Sequence, residues 1–237
     1  LKLLKTQIDR YLQNPGREVQ SVAESSFDTW IKFYRPDENS NNAGTSYYNK
    51  GCLVALCLDL GLRLRGSSLD ALVRKLYENA QKGIQVSERS IFDLCEELTG
   101  HSWLEQINHL IYTTDELPLD QLFPEFGIEY QLKNDKTQPF GLKLAEKTEG
   151  VLIQQARREG AGAKAELSAN DVIVAIDGLK ASEKLLAQYA KQQGECVVHA
   201  FRRDELLQFT VKAAEIGLAT VDLKVVDQSK AENWLKA

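Results

Sequence analysis

Two adjacent phenols, Tyr47 and Tyr48, stand in the run Thr45-Ser46-Tyr47-Tyr48-Asn49-Lys50-Gly51, directly ahead of an apolar stretch over 52–62. A phenol keeps its proton at neutral pH because its pKa lies near 10. It can therefore donate a hydrogen bond to an oxygen that gains negative charge during a reaction. The residues by themselves also fit core aromatics at the start of a helix in a bundle. Metal chemistry has no comparable signal. The three histidines are His101, His109 and His199, and none sits in His-Glu-x-x-His, the spacing that sets two imidazoles one turn apart on a helix face. His101 and His109, eight apart, are expected at the surface or as helix caps. The four cysteines, Cys52, Cys57, Cys95 and Cys196, form no Cys-x-x-Cys pair, so they read as reduced, buried thiols. That leans towards a cytoplasmic setting. The chain holds no methionine. It is expected to be part of a longer or processed polypeptide, and any signal peptide would lie upstream of Leu1.

The elements that must hold these residues change character near residue 128. Before it, apolar residues recur at helical spacing. The stripes are Leu3, Leu4, Ile8 and Leu12; Tyr48, Cys52, Ala55, Leu56, Leu60 and Leu64; Leu69, Leu72, Val73, Leu76 and Tyr77; Ile91, Leu94, Cys95 and Leu98; and Trp103, Ile107, Leu110 and Ile111. Ser67 or Ser68 and Ser87 are placed to cap helices, while Gly83 and Gly100 suit left-handed C-terminal positions. Pro15-Gly16 ends the first helix, and 35–40 is a polar loop ahead of the tyrosines. Beyond 128 the pattern predicts strands at 128–132, 141–144, 150–155, 171–176, 195–201 and 206–211, with a helical turn at 161–165 and a helix at 182–191. Residues 113–118 form a hinge-like stretch between the halves.

Composition excludes several classes. Of 237 residues, 43% are hydrophobic and 27% charged, the balance of a soluble globular chain. A net charge of −5 argues against a broad nucleic-acid surface. The apolar stretch 52–62 is interrupted by Asp59 and falls short of the roughly 20 residues a membrane span needs.

In the back half, Pro139-Phe140-Gly141-Leu142-Lys143-Leu144 has the form of a glycine-bearing loop running into an edge strand. Converging backbone N–H groups in such a loop can cradle an anionic chain end, and the edge can accept an extended peptide as an added strand. With Asn170-Asp171-Val172-Ile173-Val174-Ala175-Ile176-Asp177-Gly178, this segment resembles PDZ domains, particularly circularly permuted bacterial ones. Asn170-Asp171 stands where Gly-Asp is usual, and asparagine tolerates positive φ. Ala165-Glu166-Leu167 stands where Ala-Gly-Leu is usual. The groove would be lined by Phe140, Gly141, Leu142 and Leu144 on the strand side and by Leu185 and Tyr189 on the helix, with Leu186 beside them; ordinary core is the competing reading for the helix residues. Arg202-Arg203-Asp204-Glu205 reads as a charged hairpin turn.

The run Gly16-Arg17-Glu18-Val19-Gln20-Ser21-Val22-Ala23-Glu24-Ser25-Ser26-Phe27-Asp28-Thr29-Trp30 resembles the glycyl-aminopeptidase family of gluzincin zinc metallopeptidases. So do Tyr34-Arg35-Pro36-Asp37-Glu38-Asn39, Ser46-Tyr47-Tyr48-Asn49-Lys50-Gly51, the segment 53–60, Ser68-Leu69-Asp70 and Glu116-Leu117-Pro118. The resemblance implies a zinc-dependent parent whose His-Glu-x-x-His and downstream glutamate lie before Leu1, so that this chain carries no metal ligand. Aligned on Lys50-Gly51, it gives Tyr48 the part of the catalytic phenol that donates to the oxyanion as a peptide bond is cleaved, and makes Tyr47 a packing residue pointing elsewhere. Asn49 and Lys50 are taken to solvate the helix start, with substrate contact as the other option. Asp37, Glu38 and Asn39 are candidates for holding the substrate's free amine, with a turn-forming loop as the alternative.

The fold expected is α+β and multidomain. An all-α bundle over 1–127, the C-terminal part of a thermolysin-like catalytic domain, precedes a PDZ-like small β-barrel with two helices over 128–237. The function expected is the C-terminal part of a zinc aminopeptidase, inactive without the upstream part of the same polypeptide. Its partners would be peptide substrates and a protein C-terminus in the PDZ groove. A non-enzymatic PDZ adaptor is the competing class.

Overall fold

The computed structural model describes residues 1–235, so the last two residues of the expected 128–237 unit lie outside the described residues. The front half is helical: α1 (Lys2–Leu12), a 3₁₀ turn (Pro15–Glu18), α2 (Val22–Phe27), a π turn (Thr29–Phe33), α3 (Ser40–Ala43), α4 (Tyr47–Arg63), α5 (Leu69–Gln81), α6 (Glu88–Thr99), α7 (Leu104–Tyr112) and α8 (Leu119–Glu125). The helix starts follow capping chemistry. Ser46, Ser68 and Ser87 each accept a hydrogen bond from the third amide of their helix, and Ser21 with Glu24 makes a reciprocal capping box. Gly100 ends α6 at φ 70°, a conformation that costs glycine nothing. The 3₁₀ turn depends on another glycine. A Cβ at Gly16 would lie 2.1 Å from the Gly44 carbonyl oxygen, so the turn seats directly against the loop before α4.

The second half contains β1 (Ile128–Pro139), β2 (Leu142–Glu146), β3 (Val151–Ala156), α9 (Ala161–Lys164), β4 (Val172–Ile176), β5 (Leu179–Lys180), α10 (Glu183–Gln192), β6 (Glu195–Arg202), β7 (Glu205–Lys212), β8 (Glu215–Val225) and α11 (Gln228–Leu235). Strands β2-β3-β4-β6-β7 form an antiparallel sheet with β5 attached to β4, and among the described residues β2 is an edge that pairs only with β3. The sheet is open, and α10 packs on its apolar core through Leu186 and Ala190. This is the expected helical part followed by a PDZ-like β unit.

Three features depart from the sequence expectation. The first strand runs on to Pro139, because it pairs along its length with β8 in a two-stranded ribbon interrupted by a bulge between Lys133 and Lys136. The sequence reading contained neither β8 nor α11. Moreover, the expected division at 127/128 cuts through a single core. Ile128 of β1, Val221 of β8 and Ala231 of α11 are buried with Ile8, Tyr11, Leu53, Cys57 and Phe123 of the helical part. The PDZ-like sheet has its own core around Phe140, Ile153, Ile173 and Val198, and a third cluster around Leu72, Phe92 and Trp103 lies beneath α5–α7.

The buried face of α4 also differs. Lys50, Leu53, Cys57 and Leu60 point inward, while Tyr48, Cys52 and Leu64 are exposed. An apolar stretch with no clear polar face does not orient itself, and packing against α1, α2, α7 and α8 selects the buried side.

Candidate active site and peptide groove

Tyr47 and Tyr48 are the first two residues of α4. Their rings do not diverge, as the packing role expected of Tyr47 required. The centroids lie 4.2 Å apart with planes inclined by 31°. Both hydroxyls turn towards Tyr34, at 3.4 Å from Tyr47 and 3.1 Å from Tyr48. Tyr34 reaches them because the preceding chain makes a π turn, with the Tyr34 N–H donating to the Thr29 carbonyl at 3.0 Å. Phe33 fills the space between, its ring 5.4 to 5.9 Å from all three tyrosines, and Trp30 lies 5.0 Å from Tyr34. Tyr48 is 60% exposed, so the residue does not sit in a dry interior. The hydrogen bonds it shares with Tyr47 and Tyr48 push the Tyr34 phenol up, and the same contacts hold Tyr47 below the ordinary phenol range.

Beside this cluster lies a cavity of about 590 Å³ lined by Phe33, Arg35, Asp37, Ser40, Thr45 and Ser46, among others. Its floor is fixed by short-range bonds. Gln20 Oε1 accepts from the Thr45 N–H at 3.1 Å, and Ser25 Oγ donates to the Thr45 carbonyl at 2.5 Å.

The acidic candidates are occupied by the loop itself. Asp37 Oδ1 accepts from the Asn39 N–H at 3.0 Å and from Ser40 Oγ at 2.8 Å, and Asn39 Oδ1 accepts from Asn42 Nδ2 at 2.9 Å. Glu38 accepts a hydrogen bond from Asn170 of the PDZ-like unit. These contacts are those of a shaped turn. Asn49 and Lys50 do not solvate the helix start either. Asn49 Nδ2 donates to the Gln7 carbonyl at 3.0 Å, and Lys50 is 0% exposed. Lys50 Nζ lies 3.4 Å from the Thr113 carbonyl and 6.0 Å from the Tyr11 ring centroid, and burial lowers its pKa.

Zinc does not fit these residues. Among the described residues no three His, Cys, Asp or Glu side chains gather to hold a metal ion. His101 and His109 are exposed, engaged with the Thr99 carbonyl and Asp115, and His199 sits in β6 with Nδ1 buried and unpartnered.

The strand side of the expected peptide groove is corrected by the backbone. The Phe140 N–H donates to the Ala214 carbonyl at 2.8 Å and the Gly141 N–H to Gln138 at 3.1 Å, so neither amide is free to cradle a carboxylate. The face of Gly141 is covered as well, since a Cβ there would meet Gly160 Cα at 2.6 Å and Ile216 Cδ1 at 2.8 Å. Phe140 and Leu142 are core residues at 1% and 2% exposure. Leu144, Leu185 and Tyr189 remain half-buried along the β2 edge and α10. Glu146 Oε1 accepts the Glu183 N–H at 2.7 Å, tying the end of β2 to the start of α10.

The irregular turns behave as their residue types allow. Asn170 takes φ 71°, and Glu166 takes φ 67° with its carbonyl bonded to Arg202 Nη2 at 2.7 Å. Arg202 does more than start a hairpin turn, because it also grips the buried Asp171 through two bonds of 2.8 Å.

The two halves meet at the loop before the tyrosines, through residues the sequence did not single out. Asn42, 9% exposed, donates from Nδ2 to the Ala156 carbonyl at 2.8 Å and accepts from the Arg158 N–H at 3.3 Å. Arg157 donates twice to the Gln13 carbonyl, at 2.8 and 2.7 Å, and Arg158 pairs with Glu18 at 2.9 Å.

Residues 1–54 match the profile of the M61 glycyl aminopeptidases. The family resemblance read from the sequence holds. The crystal structure of an aminopeptidase N family protein from Idiomarina loihiensis superposes on 99% of the chain with a TM-score of 0.87 at 29% identity. The chain covers 43% of that protein, less than half its length. The HtrA3 PDZ domain bound to a phage-derived ligand (12% identity, TM-score 0.29, 41% of this chain and 91% of that one) and the HtrA-type protease AlgW with a decapeptide (18%, 0.30, 32% and 29%) are also similar to part of the chain. No curated protein matches the chain. Among the described residues no helix is long and apolar enough to cross a membrane.

Proposed function

We propose that this chain is the tyrosine-bearing helical region and PDZ-like module of a zinc aminopeptidase that hydrolyses peptide bonds next to a free N-terminus. The observation that carries the reading is the exposed Tyr48 at the start of α4, near a cavity and within the family-matched segment. Its role is to donate a hydrogen bond to the carbonyl oxygen as that oxygen becomes negative, without ionising itself. Because the residues here do not cradle zinc, the reading assigns the metal to polypeptide outside this chain. A surface rich in large apolar groups supports that assignment. Phe27, Trp30 and Ile31 are 90%, 77% and 73% exposed beside the tyrosines, and such patches mark sites where another surface packs.

The division of labour differs from a simple cut at 127/128. The ribbon of β1 and β8, with α11, completes the helical core, and the sheet between them forms the peptide module. Extended peptides are proposed to add to the β2 edge beside Leu144, Leu185 and Tyr189.

The test is turnover of a glycyl-anilide by this chain alone and by the same chain joined to the metal-bearing polypeptide, both supplied with zinc. Chelator-sensitive turnover is expected only in the joined form. Turnover by the isolated chain, or none in the joined form, overturns the proposal.

A further inference from the structure

Tyr48 sits in the first turn of α4 with most of its surface in solvent. Packing alone does not orient an exposed phenol's O–H, because the hydroxyl rotates freely about its bond to the ring and water competes for its proton. A phenol has one proton and two acceptor lone pairs, so a Tyr48 proton that points at Tyr34 is lost to a substrate oxygen. The direction of the 3.1 Å contact between the Tyr34 and Tyr48 hydroxyls therefore decides whether Tyr48 can donate outward.

Resting on the reading given above, we propose that Tyr34 is a positioning residue, whose hydroxyl donates to the Tyr48 oxygen and so leaves the Tyr48 proton aimed outward. Three observations support it. The π turn over Thr29–Phe33 sets Tyr34 over the start of α4, and such turns are frequent at functional sites. The Tyr34 ring is flanked on two sides, by Trp30 at 5.0 Å and by Phe33 edge-on at 5.4 Å, which constrains the direction in which the ring carries its oxygen. Finally, the Tyr48 hydroxyl at 3.1 Å lies nearer to that of Tyr34 than the Tyr47 hydroxyl at 3.4 Å, so Tyr48 is the better-placed acceptor for the single Tyr34 proton.

The experiment is a mutant cycle in the enzyme that carries this chain, with glycyl-anilide as substrate, together with tyrosine-ring carbon NMR on the chain alone. Tyr34→Phe keeps the ring and removes the hydroxyl. It is expected to lower kcat about tenfold with KM unchanged, and to cost nothing further once Tyr48→Phe is present. In the chain alone, Tyr34→Phe is expected to shift the Tyr48 ring resonance. An unchanged kcat in Tyr34→Phe, or a loss that persists undiminished in the double variant, removes the positioning role. An unchanged kcat in Tyr48→Phe removes the underlying oxyanion reading instead, and the NMR shift then reports only a contact without a catalytic consequence.

Discussion

Tyr48, in the first turn of α4, is largely exposed to solvent, whereas the loop that opens onto β2 has the Gly141 N–H bonded to Gln138 and its outer face against Gly160 and Ile216. Both positions carry motifs of similar clarity in the sequence. They differ in what the motif needs. Oxyanion stabilisation needs one side chain of the right type at an accessible helix start, and Ser46 as N-cap followed by two tyrosines delivers that locally. A carboxylate cradle needs backbone N–H groups left without partners. For Phe140 that depends on chain more than 70 residues away, at Ala214, and for Gly141 on a local turn back to Gln138. Side-chain chemistry is therefore the more readable kind, and backbone chemistry is decided in part by the tertiary fold.

That contrast can be broken at the point where the two regions touch. Asn42 joins the loop before the tyrosines to the end of β3. Asn42→Ala leaves the Ala156 carbonyl and the Arg158 N–H without that partner, and is expected to cost about 2 kcal/mol of stability. Urea denaturation measures the loss, and faster amide exchange at Arg158 locates it. Unchanged stability would mean that the two regions are held together by other contacts. A smaller effect sharpens the groove side. If peptides add to the β2 edge without a carboxylate cradle, a peptide with an amidated C-terminus should bind within about twofold of its free-acid form, a difference under about 0.4 kcal/mol. A strong preference for the free acid in a calorimetric titration would restore the cradle.

Much of the fold is legible where local chemistry decides it. Ser68, Ser87 and Gly100 end or start helices as their types dictate, and β2, β3, β4, β6 and β7 lie close to the runs that predict them. The failures have physical reasons. Residues 133–138 are polar, so nothing in them announces a strand; they are ordered by pairing with β8, whose alternating Val221-Asp222-Leu223-Lys224-Val225 does carry a strand signal. Lysine normally announces solvent, yet Lys50 is buried beside Tyr11, because packing fixes the face of an apolar helix. At the candidate site the tyrosine was readable by type. Its neighbour Tyr34 was not, because a π turn rather than sequence spacing brings it there. The acidic loop 37–39 shows the reverse, since residue types that suit an amine anchor are here engaged in shaping the turn and in meeting Asn170.

The account depends on the Tyr48 hydroxyl acting as a donor during peptide-bond cleavage. The direct measurement is kcat for Tyr48→Phe against the unsubstituted enzyme that carries this chain, with metal content determined in the same samples. A fall of about 10²–10³ in kcat at unchanged metal content is the predicted result. A kcat within about twofold of the unsubstituted value would contradict it.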